Sequence, residues 1–138
     1  MTDERRSGVV VDSNVLLDIF TDDPVWARWS QIRLAAAFDA GSVVINPLVY
    51  AEISVAFDRI ETLDAALPDE LGREDLPPAA AFLAGKCFVE YRRSGGGRSS
   101  ALPGFYIAAH AAVTGRALLT RDARRYRAHL PGLALITP

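Results

Sequence analysis

The sequence predicts a three-layer α/β/α fold, in which helices cover both faces of a mainly parallel central sheet. Short, apolar, β-branched runs recur along the chain, and a helix-forming segment follows each of the first three of them. These runs lack the alternation of polar and apolar residues that is typical of half-exposed strands. At 138 residues, half of them hydrophobic, the chain has the size of one domain. We therefore expect a single domain over residues 1–138, with a short polar tail at 1–8.

The apolar runs and the helix signals between them define the individual elements. The predicted strands are Val9–Val11, Ser42–Ile45, Ala117–Thr120 and Leu133–Ile136. The predicted helices are Val15–Phe20, Val25–Ala40, Leu48–Ile60, Pro78–Arg93, Pro103–Gly115 and Ala123–His129. Residues 61–76 are acidic and interrupted by Pro and Gly, which predicts a short helix and a connection. The glycine-rich residues 94–97 predict a loop.

Charge is distributed unevenly along the chain, although the net charge is only −2. Residues 1–85 hold six Arg and fifteen acids, which gives −9, and residues 86–138 hold nine Lys or Arg and two acids, which gives +7. This asymmetry fits an acidic site beside a phosphate-attracting basic surface, and it fits solvated helix faces equally well. The N-terminus lacks the apolar stretch of a secretory signal, and no charge-free stretch is long enough to span a bilayer. We expect a cytoplasmic protein without a membrane segment.

Three acidic residues are placed to meet at one edge of the predicted sheet. Asp12 directly follows the first strand, Asp122 comes just after the third, and Glu52 lies in the helix that follows the second. Ligands of open parallel sheets collect at this carboxyl edge. Clustered carboxylates repel one another unless a cation joins them, and Mg²⁺ bound by such a cluster can support phosphodiester hydrolysis. The same residues could equally be two helix caps and one surface acid.

Three segments in this order carry a family resemblance: Val10–Leu17, Tyr50–Glu52 and Leu118–Asp122. They resemble the outer motifs of the PIN-domain family, and Leu102–Ala111 resembles its remaining motif. The likeness runs from Val9 to Ile136 and is closest to the bacterial VapC toxins of toxin–antitoxin systems.

The resemblance implies an endoribonuclease that depends on Mg²⁺ or Mn²⁺, is neutralised by a cognate antitoxin protein and is commonly a homodimer. Substrates in that family are structured RNAs, with tRNA prominent among them. Transferred to this chain, the resemblance makes Asp12 the principal metal ligand and catalytic residue, with Glu52 and Asp122 completing the acidic pocket. Asn14 and Thr120 are implied to orient ligands or water.

One position departs from the family pattern, because Gly104 stands where the family places a further Asp ligand. Losing this carboxylate predicts weaker metal binding and an impaired nuclease. The sequence leaves open whether Gly104 is natural or an inactivating change. It also leaves open a catalytically silent PIN module that acts by binding antitoxin or RNA. A phosphotransferase with Asp12 as nucleophile fits less well, because Asn14 stands where its second Asp is expected.

Basic residues of the last third are candidates for holding RNA phosphates, namely Arg98 beside the glycine-rich loop and Arg121 and Arg124 beside Asp122. Antitoxin recognition is the alternative use for these residues.

Two further features have a structural and a functional interpretation. His110 has no second histidine to form a ligand pair, which favours packing inside its helix. Val25, Trp26 and Trp29 form an apolar stripe that is typical of core packing, and they are also suited to line a groove for an antitoxin helix.

Overall fold

A central sheet of five parallel strands organises the computed structural model, which describes residues 8–97 and 101–138. The strands are β1 (Val9–Val11), β2 (Val43–Ile45), β3 (Gly72–Arg73), β4 (Ala117–Leu119) and β5 (Leu135–Ile136). Their order across the sheet is β3-β2-β1-β4-β5, and every neighbouring pair is parallel. The predicted three-layer α/β/α class is confirmed.

Seven α-helices are formed by the described residues. They are α1 (Ser13–Phe20), α2 (Ala27–Ala40), α3 (Pro47–Ile53), α4 (Ile60–Ala66), α5 (Pro78–Arg93), α6 (Ala101–Val113) and α7 (Arg124–His129). None of these helices is long and apolar enough to cross a membrane.

In the middle of the chain one predicted helix was too long and one strand was missed, whereas the short helix predicted within residues 61–76 is present as α4. The third predicted helix ends at Ile53 and continues only as a 3₁₀ turn, because Phe57 is extended, with φ −133° and ψ 144°. The edge strand β3 was missed, since two residues carry no periodicity. Gly72 allows this strand to pair closely with β2, because a Cβ there would lie 2.9 Å from Cγ1 of Val44.

The strands form the centre of the core, as their continuous apolar runs predict. Val10, Val11, Ile45, Leu118 and Leu119 have no solvent exposure. Burial on both faces is possible because helices lie on each side of the sheet. The three-residue strands β1 and β4 are therefore fixed by packing as well as by their hydrogen bonds, and their carboxyl ends form a rigid edge.

His110 lies inside the protein and belongs to a polar network behind this edge. Asn46 donates to its Nδ1 over 3.1 Å, and its Nε2 donates to Glu74 over 3.0 Å. Arg116 adds a bidentate pair with Glu74. Burial lowers the pKa of His110, more than its hydrogen bond to Glu74 raises it, which favours the neutral imidazole in this arrangement. The structure thus supports the packing interpretation of His110.

Candidate active site

The predicted acidic edge begins at Asp12, the first residue after β1. The carboxylate is 5% exposed, and its Oδ1 accepts a hydrogen bond of 2.8 Å from the Ser13 backbone N–H, which caps α1. The Asp12 backbone N–H donates to Leu119 on β4. Asp12 is therefore a helix cap and also the buried acid of the edge, and its role as a metal ligand stays a prediction.

Thr120 fixes the second oxygen of Asp12. Its hydroxyl has no solvent exposure and donates to Oδ2 of Asp12 over 2.8 Å. The same hydroxyl oxygen accepts from the Asp122 backbone N–H at 3.0 Å and from the Asn14 amide at 3.3 Å. Thr120 thus connects three of the residues that the sequence singles out.

Glu52 reaches the edge through a residue that sequence reasoning missed. The Ser13 hydroxyl donates to Oε1 of Glu52 over 2.9 Å, and it also lies 3.4 Å from Oδ1 of Asp12. Ser13 is 8% exposed and begins α1. Its position directly after an acid at a helix start was the only signal for such a bridge.

Asp122 takes a different partner from the other two acids. Its Oδ2 accepts from Arg125 over 2.5 Å, one helical turn further along the chain. It does not cap α7, whose N-cap is Ala123. Among residues 8–97 and 101–138, no three His, Cys, Asp or Glu side chains are grouped closely enough to hold a metal ion together. Asp12 and Glu52 therefore share the Ser13 hydroxyl at this edge, whereas the Asp122 side chain pairs with Arg125.

The Asp12 carboxyl is costly to ionise where it lies. Burial raises its pKa from 3.8 to about 6, and the charges of Glu52 and Asp122 act in the same direction. The hydrogen bonds from Thr120 and Ser13 lower it and offset part of this rise. A nearby cation would stabilise the ionised form.

Arg121 holds the loop after β4 against α1. Its guanidinium donates to both oxygens of Asp18, over 2.6 and 2.8 Å, and its Cζ lies 5.2 Å from the centre of the Trp26 ring. Asp18 is buried and also accepts from Ser30 over 2.9 Å. The Arg121 backbone N–H donates to Oδ1 of Asn14 at 3.2 Å. Thr120 and Asp122, on either side of Arg121, are thereby held beside Asp12.

The other two basic candidates are placed differently. Arg124 is exposed at the start of α7, two residues after Asp122. Arg98 lies outside the described residues. RNA contact by Arg98, Arg121 and Arg124 stays a prediction, and the Arg121 guanidinium already has an acidic partner.

Gly104 lies in the first turns of α6 and faces Tyr126 of α7. A Cβ at position 104 would lie 2.6 Å from the Tyr126 hydroxyl oxygen and 3.6 Å from its Cζ. Tyr126 is 2% exposed, and the charges of Asp12, Asp122 and Glu52 contribute to raising its pKa, after the larger effect of burial. Sequence reasoning missed Tyr126, for which spacing along α7 gave no chemical signal.

The parallel sheet and its buried acid define an α/β protein with a carboxylate site at the carboxyl edge. The model of the PIN domain family matches residues 9–129, and the chain belongs to this family. PIN domains are generally nucleases and typically use a divalent metal. No curated protein matches the chain.

Solved structures with the same fold include toxin–antitoxin complexes. VapBC2 from Rickettsia felis, bound to a DNA fragment from its promoter, aligns with a TM-score of 0.73 and 19% identity over 94% of this chain and 98% of that one. A toxin–antitoxin complex from Klebsiella pneumoniae aligns with a TM-score of 0.70 and 21% identity, over 95% of this chain and 98% of that one. DNA-bound VapBC from Salmonella typhimurium aligns with a TM-score of 0.66 and 20% identity, over 94% of this chain and 97% of that one.

The raised pKa of Asp12 predicts a pH-dependent stability. The folded state binds this proton more tightly than the unfolded state, so in metal-free buffer the free energy of unfolding falls as pH rises from 3.8 to about 6. The contribution is on the order of 3 kcal/mol. We expect this contribution to appear when the free energies of unfolding of the natural chain and of Asp12→Asn are compared by urea denaturation between pH 4 and 7. Asp39→Asn, an exposed control, keeps the natural profile, and an unchanged profile in Asp12→Asn contradicts the assignment.

The Arg121–Asp18 pair predicts a non-additive effect on stability. Arg121→Met leaves a buried carboxylate without its cation and lowers the free energy of unfolding by about 3 kcal/mol. The double variant Asp18→Asn/Arg121→Met recovers most of this loss, because no unpaired charge remains. Arg93→Met, which removes an exposed pair with Glu90, costs less than about 1 kcal/mol. Equal losses in the Arg121 single and double variants in urea denaturation would refute the coupling.

Proposed function

We propose that this protein is a VapC-type toxin, a metal-dependent endoribonuclease that cleaves structured RNA such as tRNA. In this proposal it acts in the cytoplasm, and a cognate antitoxin neutralises it. The buried Asp12 at the carboxyl end of β1, held by Thr120 and Ser13, is the observation that carries the proposal. An acid that is fixed by two donors and costly to ionise is suited to bind a cation rather than to stay free.

The residues at this edge fit one hard divalent ion. Mg²⁺ commonly takes one or two carboxylates and completes its shell with water and substrate phosphate oxygens, so a three-carboxylate cage is not required. Asp12 is the proposed principal ligand, with Glu52 and Asp122 completing the acidic pocket. When bound, the ion supplies an activated water and neutralises charge on the scissile phosphate. Mn²⁺ takes similar oxygen ligands and is the second candidate ion.

The surrounding residues have proposed roles that follow from their contacts. Thr120 and Asn14 keep the Asp12 carboxylate in one orientation, because Thr120 donates to Oδ2 and accepts from the Asn14 amide. Asp122 exchanges its contact with Arg125 for the ion or an ordered water. The exposed Arg124 is proposed to hold an RNA phosphate, and Arg98 is proposed as a further RNA contact.

The antitoxin is proposed to cover an apolar surface at the start of α2. Val25 is 73% exposed and Ile32 is 55% exposed, whereas Trp26 and Trp29 are half-buried and pack edge to face. This combination offers apolar contact area on a rigid base, as a groove for an amphipathic helix requires. The toxin itself is proposed to form a homodimer, which light scattering of the purified chain would test.

Gly104 limits the proposed activity. Without a carboxylate at this position, the site carries a formal charge of −3 rather than −4, and a second ion has one ligand fewer. The second candidate function is therefore a silent PIN module that binds antitoxin or RNA without cleavage, which the pairing of Asp122 with Arg125 also favours.

Restoring the carboxylate tests the nuclease against the silent module. We expect Gly104→Asp/Tyr126→Phe to bind Mn²⁺ about tenfold more tightly than Tyr126→Phe, measured by calorimetry, and to cleave tRNA faster in Mg²⁺. The Phe background removes the hydroxyl that would collide with the new side chain. Gly104→Asn/Tyr126→Phe is the matched control, because it adds equal bulk without charge. A silent module gains neither metal affinity nor cleavage, and that result would contradict the proposed function.

Arg124 tests the proposed RNA surface. Arg124→Ala should weaken RNA binding equally for different sequences and reduce the slope of log affinity against log salt by about 1, because one phosphate contact is lost. Fluorescence anisotropy with labelled tRNA measures both quantities. Arg28→Ala on α2, an exposed charge change of the same kind, is the control. An unchanged salt slope in Arg124→Ala would remove Arg124 from the RNA surface.

A further inference from the structure

The space that Gly104 leaves open is filled by the hydroxyl end of Tyr126. The hydroxyl oxygen lies 2.6 Å from the point where a Cβ of residue 104 would stand, which is closer than a real Cβ contact allows. Gly104 is partly exposed and carries no side chain, whereas Tyr126 is 2% exposed. The phenol therefore lies directly beneath the surface at the position where the family pattern places an acid.

The ring of Tyr126 is held in a fixed place by aromatic and cationic neighbours. It packs edge to face against Phe105, with ring centroids 6.1 Å apart, and Cζ of Arg125 lies 5.7 Å from its centroid. Phe105 has no solvent exposure and directly follows Gly104 in α6. A ring fixed in this way cannot turn its hydroxyl away from Gly104 without disturbing the core.

The hydroxyl is a neutral donor that has no acceptor among residues 8–97 and 101–138. No described residue accepts a hydrogen bond from it, although the acids, Thr120 and Asn14 are linked to one another by such bonds. Burial, together with the negative charges of Asp12, Asp122 and Glu52, raises the pKa of Tyr126, so the proton is retained at neutral pH. A phenol hydroxyl whose hydrogen is not donated to any described residue can donate it to a bound acceptor.

We propose that Tyr126 is a further substrate-binding residue, whose hydroxyl donates a hydrogen bond through the gap at Gly104 to a phosphate oxygen of RNA bound at the acidic edge. This proposal rests on the proposed function, since it requires RNA at the edge. A neutral donor suits a phosphate in a site that already carries three carboxylates, because it adds attraction without adding negative charge. Where the family has an Asp that binds the cation, this protein thus has a hydroxyl that donates to the substrate.

The experiment removes the hydroxyl and measures RNA and metal affinity separately. Tyr126→Phe should weaken binding of fluorescein-labelled tRNA about tenfold in anisotropy titrations, because a hydrogen bond to a charged group is lost. Its Mn²⁺ affinity in calorimetry should stay unchanged, because the hydroxyl is not a metal ligand. Tyr91→Phe is the matched control: it removes a phenol hydroxyl from the same aromatic cluster, in which Tyr91 also packs on Phe105, and it should bind RNA like the natural chain.

A second pair of variants tests the geometry without RNA. Gly104→Ala should lower the Tm of the natural chain, because the methyl group meets the hydroxyl at 2.6 Å. In the Tyr126→Phe background the nearest ring atom is 3.6 Å away, so the same change should leave the Tm unchanged or raise it. Equal Tm shifts in both backgrounds would overturn the placement of the hydroxyl.

The outcomes separate this inference from the proposed function. If the natural chain binds tRNA and Tyr126→Phe binds it equally well, the role of Tyr126 is refuted while the proposed function stands. If the natural chain does not bind tRNA at all, the proposed function fails and the role of Tyr126 fails with it. A loss of Mn²⁺ affinity in Tyr126→Phe would also refute the inference, because the hydroxyl would then serve the metal rather than the RNA.

Discussion

The hydrogen bond between Thr120 and Asp12 is the contact on which the arrangement of the edge depends. It joins residues 108 positions apart in sequence, and it forms because β1 and β4 are neighbours in the sheet. Buried strands on both sides leave these two residues little freedom. Thr120 also receives the Asp122 backbone N–H, so the geometry of both acids follows from one hydroxyl. A buried, fully bonded network of this kind gives an acidic site a defined shape before any ligand arrives.

Part of the uneven charge of the chain is neutralised by ion pairs within the fold. Arg121 pairs with Asp18, and Arg116 pairs with Glu74, so basic residues of the segment 86–138 neutralise acids of the segment 1–85. Neither pair is fully exposed, and each connects segments distant in sequence. Of the two interpretations that the charge distribution allowed, a basic surface therefore applies to only part of the set, which includes the exposed Arg124. Charge counts cannot distinguish these uses, because internal pairing depends on which elements meet.

The departure at position 104 is a chemical replacement rather than an empty space. The family pattern suggests a missing carboxylate, and the structure places the Tyr126 hydroxyl 2.6 Å from where a Cβ of residue 104 would stand. Loss of negative charge weakens cation binding, while a donor at that point favours a phosphate oxygen. If the proposed function holds, residue 104 controls metal affinity and Tyr126 controls RNA affinity.

The sequence by itself determined the α/β class, four of the five strands and the edge to which Asp12, Glu52 and Asp122 belong, because long apolar runs and strand-end acids are local signals. It could not identify β3, whose two residues have no periodicity, nor the end of α3 at Ile53. Only the tertiary structure decided that Ser13 bridges two acids, that Asp122 pairs with Arg125 and that Tyr126 reaches Gly104. These contacts depend on distances between elements that pack together, and a distance across the core leaves no pattern along the chain.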